Sequence, residues 1–221
     1  MSFRQSKAEA LSRARTPADK AKVREAFIAA GRKLFADEDP ATVSLRRIAA
    51  AAGYAPSAIY QYFEHQQDLF FQIRAHDMQA CTEQLRQLIS REKSPAQRVL
   101  KLFVGTADYW LKHMEAFLVL FPAPTMRPSP GVLGGELPFG QSVAAQEGLN
   151  LYYETVEQYF QTLARPPMNV RLASDILIAA VHGMIVFPCM TRTMDWSDTR
   201  TMVKRLVTSV VADWGQGAAL S

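Results

Sequence analysis

The side chains that could do covalent or metal chemistry do not gather into a reactive pattern. His65, His76, His113 and His182 are the histidines, and none stands with a Cys, Glu or second His at ligand spacing such as His-Glu-x-x-His. Cys81 and Cys189 lie far apart and suit a reducing compartment rather than a disulfide framework. No Gly-x-Ser-x-Gly elbow occurs, and Gly134-Gly135 lies among prolines rather than between a strand and a helix. The sequence therefore predicts no enzyme, no metal and no cofactor. His182, within an apolar run, reads as a core histidine or as a hydrogen-bonding group for a small molecule.

Recognition chemistry is concentrated instead between Ser44 and Leu69, SLRRIAAAAGYAPSAIYQYFEHQQDL. Ser44 suits an N-cap, since its hydroxyl can accept from a first-turn backbone N–H. Leu45, Ile48 and Ala49 follow on one helical face, and Ala50, Ala51 and Ala52 leave room for a close neighbour. Gly53 suits the left-handed residue that ends a helix, and Pro56 the first position of the next one. Ile59, Tyr60 and Phe63 are expected on the inner side of that second helix. Two short helices braced across a tight turn are the grammar of a helix-turn-helix, whose second helix enters the DNA major groove. An ordinary helical hairpin in an all-α core has the same grammar.

On the first reading, Pro56, Ser57, Ala58 and Gln61 lie on the exposed start of the recognition helix and approach base edges. Arg46 projects from the preceding helix, within reach of a guanine. Charge follows the same division. Residues 1–66 hold 11 Lys+Arg against 7 Asp+Glu, and the remainder is balanced at 14 against 14. The whole excess thus accompanies the helix-turn-helix, as a phosphate-binding surface requires.

The run IAAAAGYAPSAIYQYFEHQQDLF also resembles the DNA-binding signature of TetR-family transcriptional regulators, I-A-x-x-A-G-V-S-x-x-x-L-Y-x-Y-F-x-x-K-x-x-L. Ile48, Ala49, Ala52, Gly53, Ile59, Tyr60, Tyr62, Phe63 and Leu69 stand where the pattern expects them, with Ile59 replacing its usual Leu. With the preceding helix, the resemblance covers about residues 17 to 91. It implies phosphate contacts from Ser44, Tyr60 and Tyr62, with His65 and Gln66 as helpers. Gln66 replaces the usual Lys, and Glu64 stands where many members carry Lys or another polar residue. Both departures remove positive charge near the expected DNA backbone.

The elements that must position these residues are legible in order. Residues 1–15 form a polar, basic arm. Residues 16–65 form the helix-turn-helix domain. It opens on Thr16-Pro17-Ala18-Asp19 and a stripe of Val23, Phe27, Ala30, Leu34 and Phe35. Residues 66–221 form a larger helical domain. A long helix from Gln66 to Arg91 carries Leu69, Phe70, Ile73, Met78, Cys81, Leu85 and Leu88, and the resemblance makes it the link between the two domains. Ser94-Pro95 starts the next helix. Residues 122–140, with five Pro and four Gly, cannot continue a helix and read as a mobile segment. Further helices are predicted at Gln141–Leu163, Asn169–Thr193 and about Trp196–Gly215. The fold is expected to be all-α, with about nine helices in two domains.

At 48% hydrophobic over 221 residues the chain can bury a substantial core. No apolar leader opens the sequence, and the longest apolar run, Ile176 to Phe187, is too short to span a bilayer. A cytoplasmic protein without membrane contact is expected, that run being a buried helix. The short segment AAVHGMIVF resembles the His-Gly helix of one C-terminal subclass of the family. The resemblance implies a homodimer through the last two long helices, here Leu172, Ile176, Ala180, Gly183 and Phe187 with Val203, Leu206, Val207, Val210 and Trp214. It also implies a small-molecule cavity. Phe103, Tyr109, Trp110, Phe117, Phe121, Tyr152 and Phe160, with His182, are the residues expected to line it, and they suit an apolar or aromatic effector. The function that follows is a repressor released from a palindromic operator by that effector. The alternative is a helical ligand-binding or enzymatic protein on the same fold that no longer binds an operator.

Overall fold

The computed structural model describes residues 16–38, 42–121, 139–191 and 193–216. The basic arm and most of the Pro/Gly-rich segment lie outside the described residues. Eight α-helices and two short 3₁₀ helices make up the regular structure among the described residues, and no strand is present there. The helices are α1 (Pro17–Asp37), α2 (Leu45–Ala51), α3 (Gln66–Ser90), α4 (Pro95–Lys112), α5 (Met114–Leu120), α6 (Val143–Phe160), α7 (Val170–Met190) and α8 (Thr199–Gln216). The 3₁₀ helices are Ala58–Gln61 and Phe139–Gln141.

Side-chain caps set most of the helix starts. Thr16, Ser44, Ser94 and Asn169 each accept from the backbone N–H three residues on. Asp198 does the same ahead of α8, accepting from Thr201 N at 2.8 Å.

The chain divides into two compact units: residues up to Asp77 with Glu115–Ser142, and Met78–Met114 with Val143 onward. The division thus falls within α3, later than the 65/66 boundary expected from sequence, and α5 belongs with the first unit. In the first unit, Phe27, Ile48, Ile59, Phe63, Leu69 and Ile73 are almost wholly buried in one cluster, which Val119 of α5 joins. Gly31 lets α1 and α3 close up. A Cβ there would stand 2.9 Å from Ile73 Cδ1 and 3.3 Å from Leu69 Cδ2.

In the second unit α4 is the hub, packing on α6, α7 and α8. Its buried face carries Val99, Leu102, Phe103, Thr106, Tyr109 and Trp110. Val203, Val207, Val211 and Trp214 turn the inner face of α8 toward this core, and Ala173, Ser174, Leu177, Val181 and Ile185 do so for α7.

Two expectations need correction here. The buried row of α3 is Leu69, Ile73, Asp77, Cys81, Leu85 and Ile89, every fourth residue, whereas Leu88 is exposed. The helix around Ile176–Phe187 is not a fully buried one. α7 is 21 residues long with a mean hydropathy of 1.8, long and apolar enough to cross a membrane, and only 28% of it is buried. Because α7 packs against α4, α6 and α8 along one side, its apolar exposure is a single face and not the whole cylinder.

Candidate nucleic-acid interface

The turn is built from backbone geometry that only a glycine accommodates easily. α2 ends at Ala52, and Gly53 takes φ 80°, the left-handed region. Gly53 N then donates to Ala50 O at 3.0 Å, and Tyr54 N to Ala49 O at 2.9 Å. This pair of reversed bonds satisfies carbonyls that the end of the helix would leave open. It also delivers Tyr54 onto Phe27 of α1.

Phe27 is the keystone of the unit. Its ring meets Tyr54 at 5.2 Å, Tyr62 at 5.5 Å and Phe63 at 6.4 Å between centroids, all edge to face. Three contacts of this kind fix α1, the turn and the segment after it in one arrangement.

The second helix is shorter than predicted. It is the 3₁₀ helix Ala58–Gln61, with no side-chain cap from Ser57. Ile59, Tyr60, Tyr62 and Phe63 are weak helix formers, so packing rather than propensity holds this segment. Ile59 and Phe63, four apart and joined by a 3.0 Å backbone bond, are its buried side. Tyr60 therefore points outward at 55% exposure, not inward as expected. Ala58 is only 6% exposed and belongs to the core, so it offers nothing to a base edge. Arg46, Pro56, Ser57, Gln61 and His65 are exposed, and Ser44, Tyr62 and Gln66 are half-buried.

Several of these side chains already have local work. Ser44 Oγ accepts from Arg47 N at 3.3 Å. His65 Nδ1 accepts from Asp68 N at 3.0 Å, so His65 caps the start of α3. Arg47 is exposed but paired with Glu38 through 2.7 and 2.8 Å bonds, and it also donates to Thr42 O. The bond to Arg47 is the main reason the Glu38 carboxyl titrates below the usual range. That leaves Arg46 as the arginine of α2 without this local clamp.

One buried polar group was missed by the sequence reading. Asp77, 4% exposed, sits mid-row on α3. It is gripped by Arg32 of α1, whose Nε donates to Oδ2 at 2.8 Å and whose Nη2 donates to Oδ1. His76 Nδ1 lies 3.3 Å from the same carboxylate, and His76 Nε2 lies 3.9 Å from Glu25. The available signal was the acid itself, standing on an otherwise apolar row. Burial opposes ionisation of Asp77, but the bonds from His76 and Arg32 outweigh it and hold the carboxyl below its ordinary range. The bond to Asp77 chiefly raises the His76 imidazole above its ordinary 6.5.

A raised histidine value stabilises fully below 6.5, and that stabilisation is lost as pH rises through the elevated value. We expect the melting-temperature difference between the wild type and His76→Gln to be largest below pH 6.5 and to shrink as pH is raised past it. A difference that is flat across that range would show that His76 adds nothing to the α1–α3 clamp.

The residues expected to line a cavity are distributed over both units. Phe117 and Phe121 stack at 5.0 Å in the first. In the second, Phe103 lies 5.2 Å from Tyr152, whose hydroxyl shares a 2.8 Å bond with Thr106. Tyr109 stacks with Trp110 and His113, and Phe160 with Trp214. His182 is 2.8 Å from Ile178 O through Nδ1, and burial lowers its pKa, so the ring is neutral near pH 7.

The predicted dimer residues separate by face. Leu172, Ile176, Gly183 and Phe187 are exposed on α7 and Ala180 is half-buried, as are Leu206 and Val210 on α8. Val203, Val207 and Trp214 are enclosed within the protomer and have no surface to give a partner. The α8 stripe has two sides, and its largest residues face inward.

Among the described residues no group of three or more His, Cys, Asp or Glu is placed to hold a metal. Residues 27–73, which contain Phe27, the turn and the start of α3, match the family described as bacterial regulatory proteins, tetR family. The chain carries a tetR-family domain.

Solved structures of several transcription regulators resemble most of the chain. The fatty acid degradation regulator FadR from Bacillus halodurans superposes with a TM-score of 0.69 at 17% identity, over 85% of this chain and 94% of that one. The transcriptional regulator FadR from Bacillus subtilis, in complex with stearoyl-CoA, gives 0.68 at 17% identity, over 88% and 98%. NalD, the secondary repressor of the MexAB-OprM multidrug efflux pump in Pseudomonas aeruginosa, gives 0.62 at 22% identity, over 89% and 100%. At these identities the likeness establishes the all-α fold. No curated protein matches the sequence significantly. The tetR family and these neighbours are transcription regulators, not enzymes.

Proposed function

We propose that the protein is a repressor that binds a palindromic operator as a homodimer and leaves it when a small molecule binds. The observation that carries the reading is the outward face of the turn. Arg46, Ser57, Tyr60 and Gln61 are exposed together on a scaffold fixed by Gly53 and Phe27. Arg46 is the base-reading cation, with Ser57 and Gln61 beside it, and Pro56 sets the close approach. Tyr60, Tyr62 and Ser44 contact phosphates, helped by His65 and Gln66. The domain positions 16–65 and 66–221 keep the roles of DNA reading and of effector binding with dimerisation.

The second copy covers the exposed face of α7. Leu172, Ile176, the half-buried Ala180, Gly183, Phe187 and Met190 recur at three- and four-residue steps along it. A Cβ on Gly183 would meet nothing within 4 Å, so another helix can approach closely there. Leu206 and Val210 of α8 extend the seam. The reading as a DNA-binding regulator puts its site of action in the cytoplasm. Two-fold symmetry then places two recognition segments on half-sites about one helical turn apart.

The effector occupies the aromatic second unit, where Tyr109, Trp110, Tyr152 and His182 orient it, and Phe103 and Phe160 supply apolar contact. Phe117 and Phe121 form a separate aromatic pair in the first unit. The effector must bind one arrangement of the DNA-reading unit better than the other, because equal affinity shifts nothing. α3 is the lever, since it is a member of both units.

Gel-shift titration with the DNA upstream of its own coding sequence tests the reading. The wild type is expected to form one discrete complex, and Arg46→Ala to lose ~1–3 kcal/mol of binding with relaxed discrimination at one base pair. Unchanged affinity and footprint for Arg46→Ala would remove Arg46 from the interface.

A further inference from the structure

Arg74 is a largely buried arginine with no ion-pair partner among the described residues. Its Nη2 donates to Leu120 O, the last residue of α5, at 2.9 Å. Its guanidinium lies 3.9 Å from the Phe139 ring centroid and 5.6 Å from that of Phe70. Phe71 meets Phe139 edge to face at 5.8 Å and backs that ring. Nε is fully buried and has no acceptor, the one buried side-chain polar atom in this state among the described residues. No carboxylate forms an ion pair with Arg74 there either. Burial pushes its pKa down to about 10, the response of a cation with no counter-ion.

A carbonyl oxygen and ring faces offset part of such a charge, but a buried cation is normally matched by an anion. The group that is missing has a defined chemistry. A planar monoanion suits the guanidinium edge, which presents Nε–H and Nη–H in parallel and pairs with both carboxylate oxygens at once. Ring faces on either side favour an apolar body attached to that anion. Arg74 as a whole is half-buried, so an anion that pairs with Nε must enter beside the exposed part of the side chain and displace the groups that enclose Nε.

We infer that Arg74, flanked by Phe70, Phe139 and the carbonyl end of α5, anchors the carboxylate of an amphipathic small molecule. This rests on the reading of the protein as ligand-responsive and adds a site that lies within the first unit, for a molecule with an apolar body and a carboxylate head.

Isothermal titration with matched pairs tests the inference: octanoate against octanamide, and 4-phenylbutyrate against 4-phenylbutyramide. The wild type is expected to bind at least one acid about tenfold or more tighter than its amide, the scale of a hydrogen bond to a charged group. Arg74→Met should make acid and amide equal. Arg74→Lys, which keeps the charge without the Nε donor, should retain only part of the preference. The folded state of each variant is checked by circular dichroism, and the lysine variant decides the matter where the methionine variant does not fold. A wild type with no preference for either acid, or a preference that survives in Arg74→Met, overturns the inference.

DNA release is read separately by fluorescence anisotropy on the same samples. Acid binding through Arg74 that leaves DNA affinity unchanged supports the anion site and removes the effector reading. Release by acids that proceeds equally in Arg74→Met does the reverse.

Discussion

Phe27→Ala is expected to destabilise the DNA-reading unit by ~3–5 kcal/mol, the range for truncating a buried aromatic. Phe27 is fully buried and makes three edge-to-face contacts that hold Tyr54, Tyr62 and Phe63. Against a total stability of ~5–15 kcal/mol, that loss takes most of the margin of a small unit. It also removes the support beneath the turn, so DNA binding should vanish before the protein is globally unfolded. Thermal melts by circular dichroism, paired with gel shifts at a temperature where the variant is folded, check both parts. A variant that keeps wild-type melting would show that Phe27 is not the keystone.

The second large effect concerns assembly. Ile176→Glu with Phe187→Glu places two charges on the open face of α7, where the wild-type residues are 44% and 53% exposed. Because both are largely exposed in the protomer, the double variant should fold with near-wild-type melting. It should sediment as a monomer and bind the operator at least a hundredfold more weakly, since one recognition segment then acts alone, at a cost of roughly 2.7 kcal/mol or more. Gly183→Leu offers a gentler check, since its added side chain meets open space within the protomer. Val207→Glu would not serve, because Val207 is buried in the protomer and its loss would damage the core. A wild type that sediments as a monomer at micromolar concentration would contradict the assembly.

Which parts of this were legible in the sequence follows from how local their causes are. The caps at Thr16, Ser44 and Ser94 and the Gly53 turn depend on a few neighbouring residues, and each stands where spacing placed it. The recognition segment was over-extended because Pro56 and the apolar spacing of Ile59 and Phe63 suit a longer helix. Its 3₁₀ form comes from tertiary packing on Phe27. The outward turn of Tyr60 and the burial of Ala58 follow from that same packing.

Facing was the other gap. α7 is apolar around much of its circumference, so periodicity alone could not say which side meets α4 and which stays open. α8 was read as one stripe, although Val203, Val207 and Trp214 face inward and Leu206 and Val210 are half-open. The Arg32–Asp77 pair joins residues 45 apart in sequence, a distance over which no local rule operates. Arg74 was invisible for the same reason, because Leu120 and Phe139 lie far along the chain from it.

The central claim is sequence-specific binding by a two-fold pair of helix-turn-helix units. Hydroxyl-radical footprinting of the wild-type protein on the DNA flanking its own coding sequence tests it most directly. The account predicts two protected patches, symmetric about a centre and about one helical turn apart, that persist against excess random duplex. Protection spread evenly along the DNA, or lost to the random competitor, would contradict it.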